Sequence, residues 1–205
     1  HAQLEILDFV GVEPGARTEN IKQIFASMRD ADALLIVLAA FQGEGAAEVR
    51  KQWEAMHSEL LFADLEVIEK RIQKLEAGVN KPTKTQEQDK RELAILQIVR
   101  AHLEEHESWQ GLALDDQQEK AIRGFRFLMQ KPHVPIINAD DPGRIVATDA
   151  LGESVGKRAL VLNADVEKEV VQLPEDEREA FLKEFGIAEA AGPRVIRAAY
   201  DALGL

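Results

Sequence analysis

The chain of 205 residues has a mass of 22.8 kDa, 45% apolar and 30% charged residues, a formal net charge of −12 and a pI near 4.9. That length buries the core of one α/β domain carrying an insertion and leaves little room for two unrelated domains. The acidic balance repels phosphate backbones except at a local basic patch; the lack of cysteine excludes disulfides, thiolate catalysis and cysteine-ligated zinc; no apolar run approaches the ~20 residues of a membrane span. With no secretory signal either, the expected compartment is cytoplasmic and no membrane partner is expected.

Leu4 to Phe9 and Ala33 to Ala40 are short, nearly continuous apolar runs, the pattern of parallel strands covered on both faces. Between them, NIKQIFASMRDAD sets Ile21, Ile24, Phe25 and Met28 on one helical stripe, so the start is expected to be a βαβ unit. From Gly45 to Ala77 a long helix is expected, with one seam at Val49, Trp53, Met56, Leu60, Ala63 and Val67 and a second at Leu61, Leu65, Ile68, Ile72 and Leu75. Gly78 and Pro82 end it, and a second helix to about His106 carries Leu93, Leu96, Val99 and Leu103, giving an antiparallel helical hairpin.

After SWQGLALDD, the α/β pattern resumes with a short helix in EKAIRGFRFLMQ and a buried strand in VPIIN. RALVLNADV supplies a further strand, EDEREAFLKEFG a helix closed by Gly186, and PRVIRAAYDALGL a last helix with Pro193 in its first turn. The expected division is an α/β domain over 1–44 and 108–205, interrupted by the hairpin over 45–107.

Three strand ends carry polar residues. Asp8 and Gly11 stand as D-F-V-G; such an acid can hold Mg²⁺ through water while the glycine lets a backbone N–H approach a γ-phosphate, and the same pair also arises from local turn bonding alone. Asn138 and Asp141 in INADD can read a purine edge and brace neighbouring loops, or can be a plain strand-to-turn cluster. Asn163 and Ala164 offer a backbone that can lie against a base. All lie at the carboxyl ends of expected parallel strands, where open α/β sheets bind ligands. His102 and His106 are spaced i, i+4 on a charged helix, where solvated side chains are expected rather than a metal site, and Gly43 and Gly45 in QGEGAA are too few to cradle a phosphate.

In order along the chain, these pieces resemble the YchF-type Obg-like ATPases, a translation-factor-related branch of the P-loop GTPases. LEILDFVGVEPGA is similar to the family's switch II entry, D-I-A-G-L-V-x-G-A after a strand; HSELLFADLEVIEKRIQKLE resembles E-L-x-L-A-D-L-x-x-x-E-R-x-x-x-L at the start of its helical insertion; FRFLMQKPHVPIINADD resembles F-L-T-x-K-P leading into N-x-x-E. The resemblance implies an incomplete Ras-like parallel sheet interrupted by a coiled-coil hairpin, ATP or GTP with Mg²⁺ as ligands, and the ribosome as partner. Asp8 and Gly11 then match the Mg²⁺ and γ-phosphate motif, Asn138 and Asp141 the base-recognition motif, and Val12 the hydrophobic residue that the family has where Ras-like enzymes place the water-orienting glutamine.

The chain departs from the family in having no G-x-x-x-x-G-K-[ST] loop and no switch I threonine region, as though it begins one strand too late, and in ending where the TGS domain would start. RTENIKQ after Gly15 is shorter than the family's glycine-rich loop, Asp141 replaces a glutamate, and Ala139 stands where GTPases have lysine, leaving ATP and GTP both open. A sheet without its first strand would expose an edge, so pairing between copies is a further expectation. Two functional readings follow: a nucleotide-hydrolysing Obg-like protein seen in part, or an interaction module whose hairpin docks a partner on an α/β platform.

Overall fold

The computed structural model describes residues 4–11, 19–41, 45–78 and 85–205. The expectations for Val12, for the loop after Gly15, for Gly43 and for the turn around Pro82 lie outside these residues. Two compact units divide the chain: His1–Asp8, Asp32–Glu54 and Pro132–Leu205 form one, and Phe9–Ala31 with Ala55–Lys131 the other. The division passes through one long helix.

The first unit is built on a parallel sheet of order β1-β2-β3, with β1 at Leu34–Ala40, β2 at His133–Ala139 and β3 at Leu160–Leu162. β1 runs in register with β2 from Leu34 opposite His133 to Ala40 opposite Ala139, and β3 joins from Ile136 opposite Leu160 to Asn138 opposite Leu162. The apolar runs that specify β1 and β2 bury Leu34, Ile36, Leu38, Val134, Ile136 and Ile137. Around the sheet are α5 (Ala147–Leu151), α6 (Glu153–Gly156), α7 (Ala164–Gln172), α8 (Glu175–Glu184) and α9 (Ala191–Leu203). Val166, Val170 and Leu182 form a buried cluster with Phe181, Ile187 and Ala190 packed on it.

The expected strand over Leu4–Phe9 is not formed. Residues 4–11 are irregular, pair with none of the three strands, and expose Ile6, Leu7 and Val10. An apolar run favours burial on both faces, but a strand also needs a hydrogen-bonded neighbour, and hydropathy does not encode one. The βαβ expectation therefore fails at its first strand, although the helix and second strand stand as α1 (Glu19–Met28) and β1.

α2 (Gly45–Gly78) contributes its first ten residues to this unit. Gln52 lies against β1: its Oε1 accepts from the Ala39 N–H at 2.9 Å and its Nε2 donates to the Ala39 carbonyl at 2.9 Å. Arg50 donates from Nε to the Ala150 carbonyl at 3.0 Å and from Nη2 to the Asp149 carbonyl at 2.5 Å, satisfying carbonyls at the end of α5. α6 returns close upon α5, and only glycine allows it: a Cβ on Gly156 would stand 2.5 Å from Thr148 Cα and 2.7 Å from the Ala147 carbonyl oxygen.

The second unit holds α1, the remainder of α2, α3 (Gln86–His106) and α4 (Asp116–Ile122), which tightens into a 3₁₀ turn at Arg123–Phe125. Leu61, Ile68, Ile72 and Leu75 are buried along α2, as are Ile95, Leu96, Val99 and Leu103 along α3. Two ion pairs cross between the helices: Arg71 forks onto both oxygens of Glu92 at 2.7 Å, and Arg100 Nη1 reaches Glu69 at 2.8 Å. Lower α2 numbers meet higher α3 numbers, as an antiparallel hairpin requires. Phe127 is buried between ring contacts to Trp109 and Phe125, with centroids 5.4 and 5.3 Å away.

Asp64 on α2 is fully buried, and every one of its described contacts comes from another segment of this unit. Its Oδ1 accepts from Arg29 Nη1 at 2.5 Å and from the Leu128 N–H at 3.1 Å, and its Oδ2 accepts from the Met129 N–H at 2.8 Å. Arg29 also donates to the Ala63 carbonyl at 3.0 Å. One carboxylate thus ties the residue after α1, the middle of α2 and the segment after the 3₁₀ turn.

Candidate functional site

The carboxyl ends of β2 and β3 carry two asparagines, Asn138 and Asn163, whose side chains bond backbone groups across the two loops. Asn138, the next-to-last residue of β2, accepts from the Ala164 N–H at 2.9 Å through Oδ1. Asn163 precedes α7 and caps it, its Oδ1 accepting from the Asp165 N–H at 3.0 Å and the Val166 N–H at 3.1 Å, while its Nδ2 donates to the Asp140 carbonyl at 2.7 Å. The end of β2 with its following loop is therefore bonded twice to the loop after β3, and both bonds are donated from the β3 side. Asp141 caps the 3₁₀ turn Pro142–Arg144 by accepting from the Gly143 N–H at 3.0 Å and is itself exposed.

This geometry refines what each residue can offer. Among the described residues nothing accepts from Asn138 Nδ2, so its amide donor is available to a ligand. The Ala164 N–H is engaged by Asn138, so Ala164 presents its exposed methyl rather than a free amide. Asp8 is exposed in the irregular stretch and makes no hydrogen bond or ion pair among the described residues. Gly11 has open space where a Cβ would be and a φ outside the left-handed region, so neither packing nor backbone geometry requires glycine there. No described contact joins Asp8 to Asn138 or Asp141. No group of three or more His, Cys, Asp or Glu side chains suited to a metal ion occurs among the described residues. A lone carboxylate fits Mg²⁺ only as one ligand of an ion that arrives with phosphates and keeps its waters.

His102 and His106 have ring centroids 4.5 Å apart with their planes tilted by 58°, and His102 Nε2 lies 3.2 Å from the Gln110 carbonyl. Sequence reading missed Asn163 as a helix cap, although Asn before A-D-V-E is the signal for one. Asn163→Ala removes the cap and the tie to Asp140, so a loss of about 1–2 kcal/mol in chemical denaturation is expected. Asn163→Ser restores the cap alone and recovers roughly half of it, whereas an unchanged midpoint for Asn163→Ala would remove the cap from the argument.

A parallel sheet with a polar cluster at its carboxyl ends and helices between its strands is an open α/β arrangement, the class of fold to which a partial Ras-like P-loop NTPase domain belongs. No family model matches the chain. Its sequence is 31% identical over 216 residues to the ribosome-binding ATPase YchF of Pasteurella multocida, covering 98% of this chain and 58% of that protein. It is 30% identical over 218 residues to the protein of that name from Escherichia coli O157:H7 and 28% identical over 220 residues to the one from Bacillus subtilis, with the same coverage. The solved YchF GTPase of Schizosaccharomyces pombe superposes with a TM-score of 0.72 at 21% identity, over 87% of this chain and 52% of that one, which establishes the fold. Over the stretch it shares with these proteins, the chain is similar to YchF-type sequences. It spans about 58% of the length of the curated relatives it matches.

Proposed function

We propose that the chain is the part of an Obg-like nucleotide-hydrolysing protein that recognises a purine base, and that in its full form the protein binds ATP or GTP with Mg²⁺ and associates with the ribosome. The observation that carries this reading is the pair of bonds from the Ala164 N–H to Asn138 and from Asn163 to the Asp140 carbonyl, which fixes two loops at the sheet's carboxyl ends and leaves the Asn138 amide and the Asp141 carboxylate for a ligand. Asp141 accepts from base N–H groups, the Ala164 methyl lies against the ring, Gly11 admits a phosphate to its backbone, and Asp8 supplies one ligand to nucleotide-borne Mg²⁺. The ribosome enters because the relatives are named ribosome-binding. A cytoplasmic location accords with that, and no helix among the described residues is long and apolar enough to cross a membrane. The outer edge of β1, where Val37 is exposed, is the surface through which a second copy would pair.

The second reading, a docking module, rests on Phe62 and Ile98, exposed apolar side chains on α2 and α3. Titration with fluorescent ATP and GTP analogues in Mg²⁺ separates the two. The 205 residues contain no phosphate-cradling G-x-x-x-x-G-K-[ST] loop, so weak binding is expected for them alone. Joining a strand and such a loop ahead of residue 1 is expected to tighten binding at least about tenfold, in an Mg²⁺-dependent manner that Asp8→Ala reduces. Failure of both forms to bind at millimolar nucleotide would overturn the nucleotide reading and leave the hairpin as the functional element.

A further inference from the structure

A hollow of about 470 Å³ lies in the first unit beside Val134 and Leu160, at the amino ends of β2 and β3 and thus at the other end of the strands from Asn138. Its floor is apolar and small, with Val134, Ala198 and Ala202, and its rim is charged. α9 lines it with Arg194, Arg197, Ala198, Asp201 and Ala202, which are spaced i, i+3, i+4, i+7 and i+8. The core-facing side of α9 carries the buried Ala191 and Ala199, whereas this stripe is its flank, with Arg194, Ala198 and Ala202 half-buried and Arg197 and Asp201 exposed.

Both guanidinium groups are held in place. Arg194 Nη2 donates to the Val161 carbonyl at 3.0 Å, and Arg197 is forked onto Glu189 at 3.1 and 2.8 Å. Lys157 is paired with Glu153 at 2.6 Å, but Arg158, exposed on the segment between α6 and β3, has no partner among the described residues. Four cations and two carboxylates, Glu189 and Asp201, thus line one hollow in a chain whose formal charge is −12. The overall field repels a long polyanion, whereas a local excess of guanidinium over an alanine floor suits one small dianion with an apolar body. The volume is in the range of small-molecule sites.

We propose that this hollow binds a small organic phosphate, with its apolar body on Ala198 and Ala202 and its phosphate between Arg158 and Arg194. The assignment is independent of the nucleotide reading. It is tested by following the backbone amides of this chain by NMR during titration with phenyl phosphate and, separately, with inorganic phosphate. Phenyl phosphate is expected to shift the amides of Val134, Arg158 and the 194–202 segment, saturating in the millimolar range. Arg158→Glu and Arg158→Gln are each expected to weaken binding roughly tenfold or more, while Lys90→Glu, a charge reversal on α3, leaves it unchanged. The proposal is overturned by no shift up to about 10 mM, by shifts confined to the Asn138 and Asp141 region, or by undiminished affinity in both Arg158 variants. Equal affinity for inorganic phosphate would also overturn it, since the floor would then have no role.

Discussion

Asp64→Ala is expected to destabilise the second unit by about 3–5 kcal/mol, because it leaves the Arg29 guanidinium and the Leu128 and Met129 N–H groups buried or half-buried without their acceptor. Leu128 is fully buried and Met129 nearly so, so water does not readily replace the lost carboxylate at those amides. Asp64→Asn keeps the volume but turns one oxygen into a donor, so it recovers only part of the loss. The pH response adds a second readout. Burial pushes the Asp64 carboxyl above its ordinary value of 3.8, outweighing the pull of the Met129 N–H, Arg29 and the Leu128 N–H. The folded chain then takes up a proton at higher pH than the unfolded chain. This one group therefore favours folding as pH falls from above its folded value toward 3.8, the reverse of an acid whose value is depressed. Denaturation curves across that window should show the contribution in the native chain and not in Asp64→Asn. A stability loss below about 1 kcal/mol for Asp64→Ala would show that the three segments are held together by their apolar contacts alone.

Gly156→Ala is the second substitution with a large expected effect. Its added methyl would meet Thr148 Cα and N and the Ala147 carbonyl oxygen, all of them backbone atoms that cannot swing aside as a side chain can. Overpacking of this kind costs about 1–3 kcal/mol, because α5 and α6 must move apart. The displacement is transmitted to β3, which starts at Leu160, only four residues on. Gly156→Ala should therefore lower the denaturation midpoint and shift the NMR signals of Leu160–Leu162. Gly124→Ala, where a Cβ meets nothing within 4 Å, serves as the comparison and should leave those signals in place. Equal behaviour of the two variants would mean that the α5–α6 crossing relaxes freely.

Much of the fold was legible because its signals are local. LLIVLAA and VPIIN are apolar runs bounded by turn residues, and they became β1 and β2. The two α2 seams and the α3 stripe have helical spacing, and their members Ile68, Ile72, Leu96, Val99 and Leu103 are buried. Leu4–Phe9 has equally strong hydropathy and formed no strand, because pairing depends on a partner elsewhere. Asp64 was not legible for a related reason. An acid between Ala63 and Leu65 on a long charged helix reads as solvated, and only the approach of Arg29 and the Leu128–Met129 backbone makes it a buried junction. At the candidate site, Asn138 and Asp141 stand out in the sequence because they close an apolar run, and Asn138 is the next-to-last residue of β2. The bond from the Ala164 N–H to Asn138 was not, since it joins residues 26 positions apart. The arginine face of α9 was hidden by its own periodicity, which resembles an ordinary amphipathic helix until the hollow beside it is seen.

The contact between Gln52 and Ala39 has a consequence for solubility. An edge strand offers unpaired N–H and C=O groups along its length, and proteins usually shield them with charge, proline or a covering element. Here a single carboxamide, carried by a helix of the same unit, engages both backbone groups of one residue near the end of β1. The sheet is closed at a point rather than along a line, and a neighbouring strand that extended past Ala39 would have to displace that amide before its ladder could run to the end of β1.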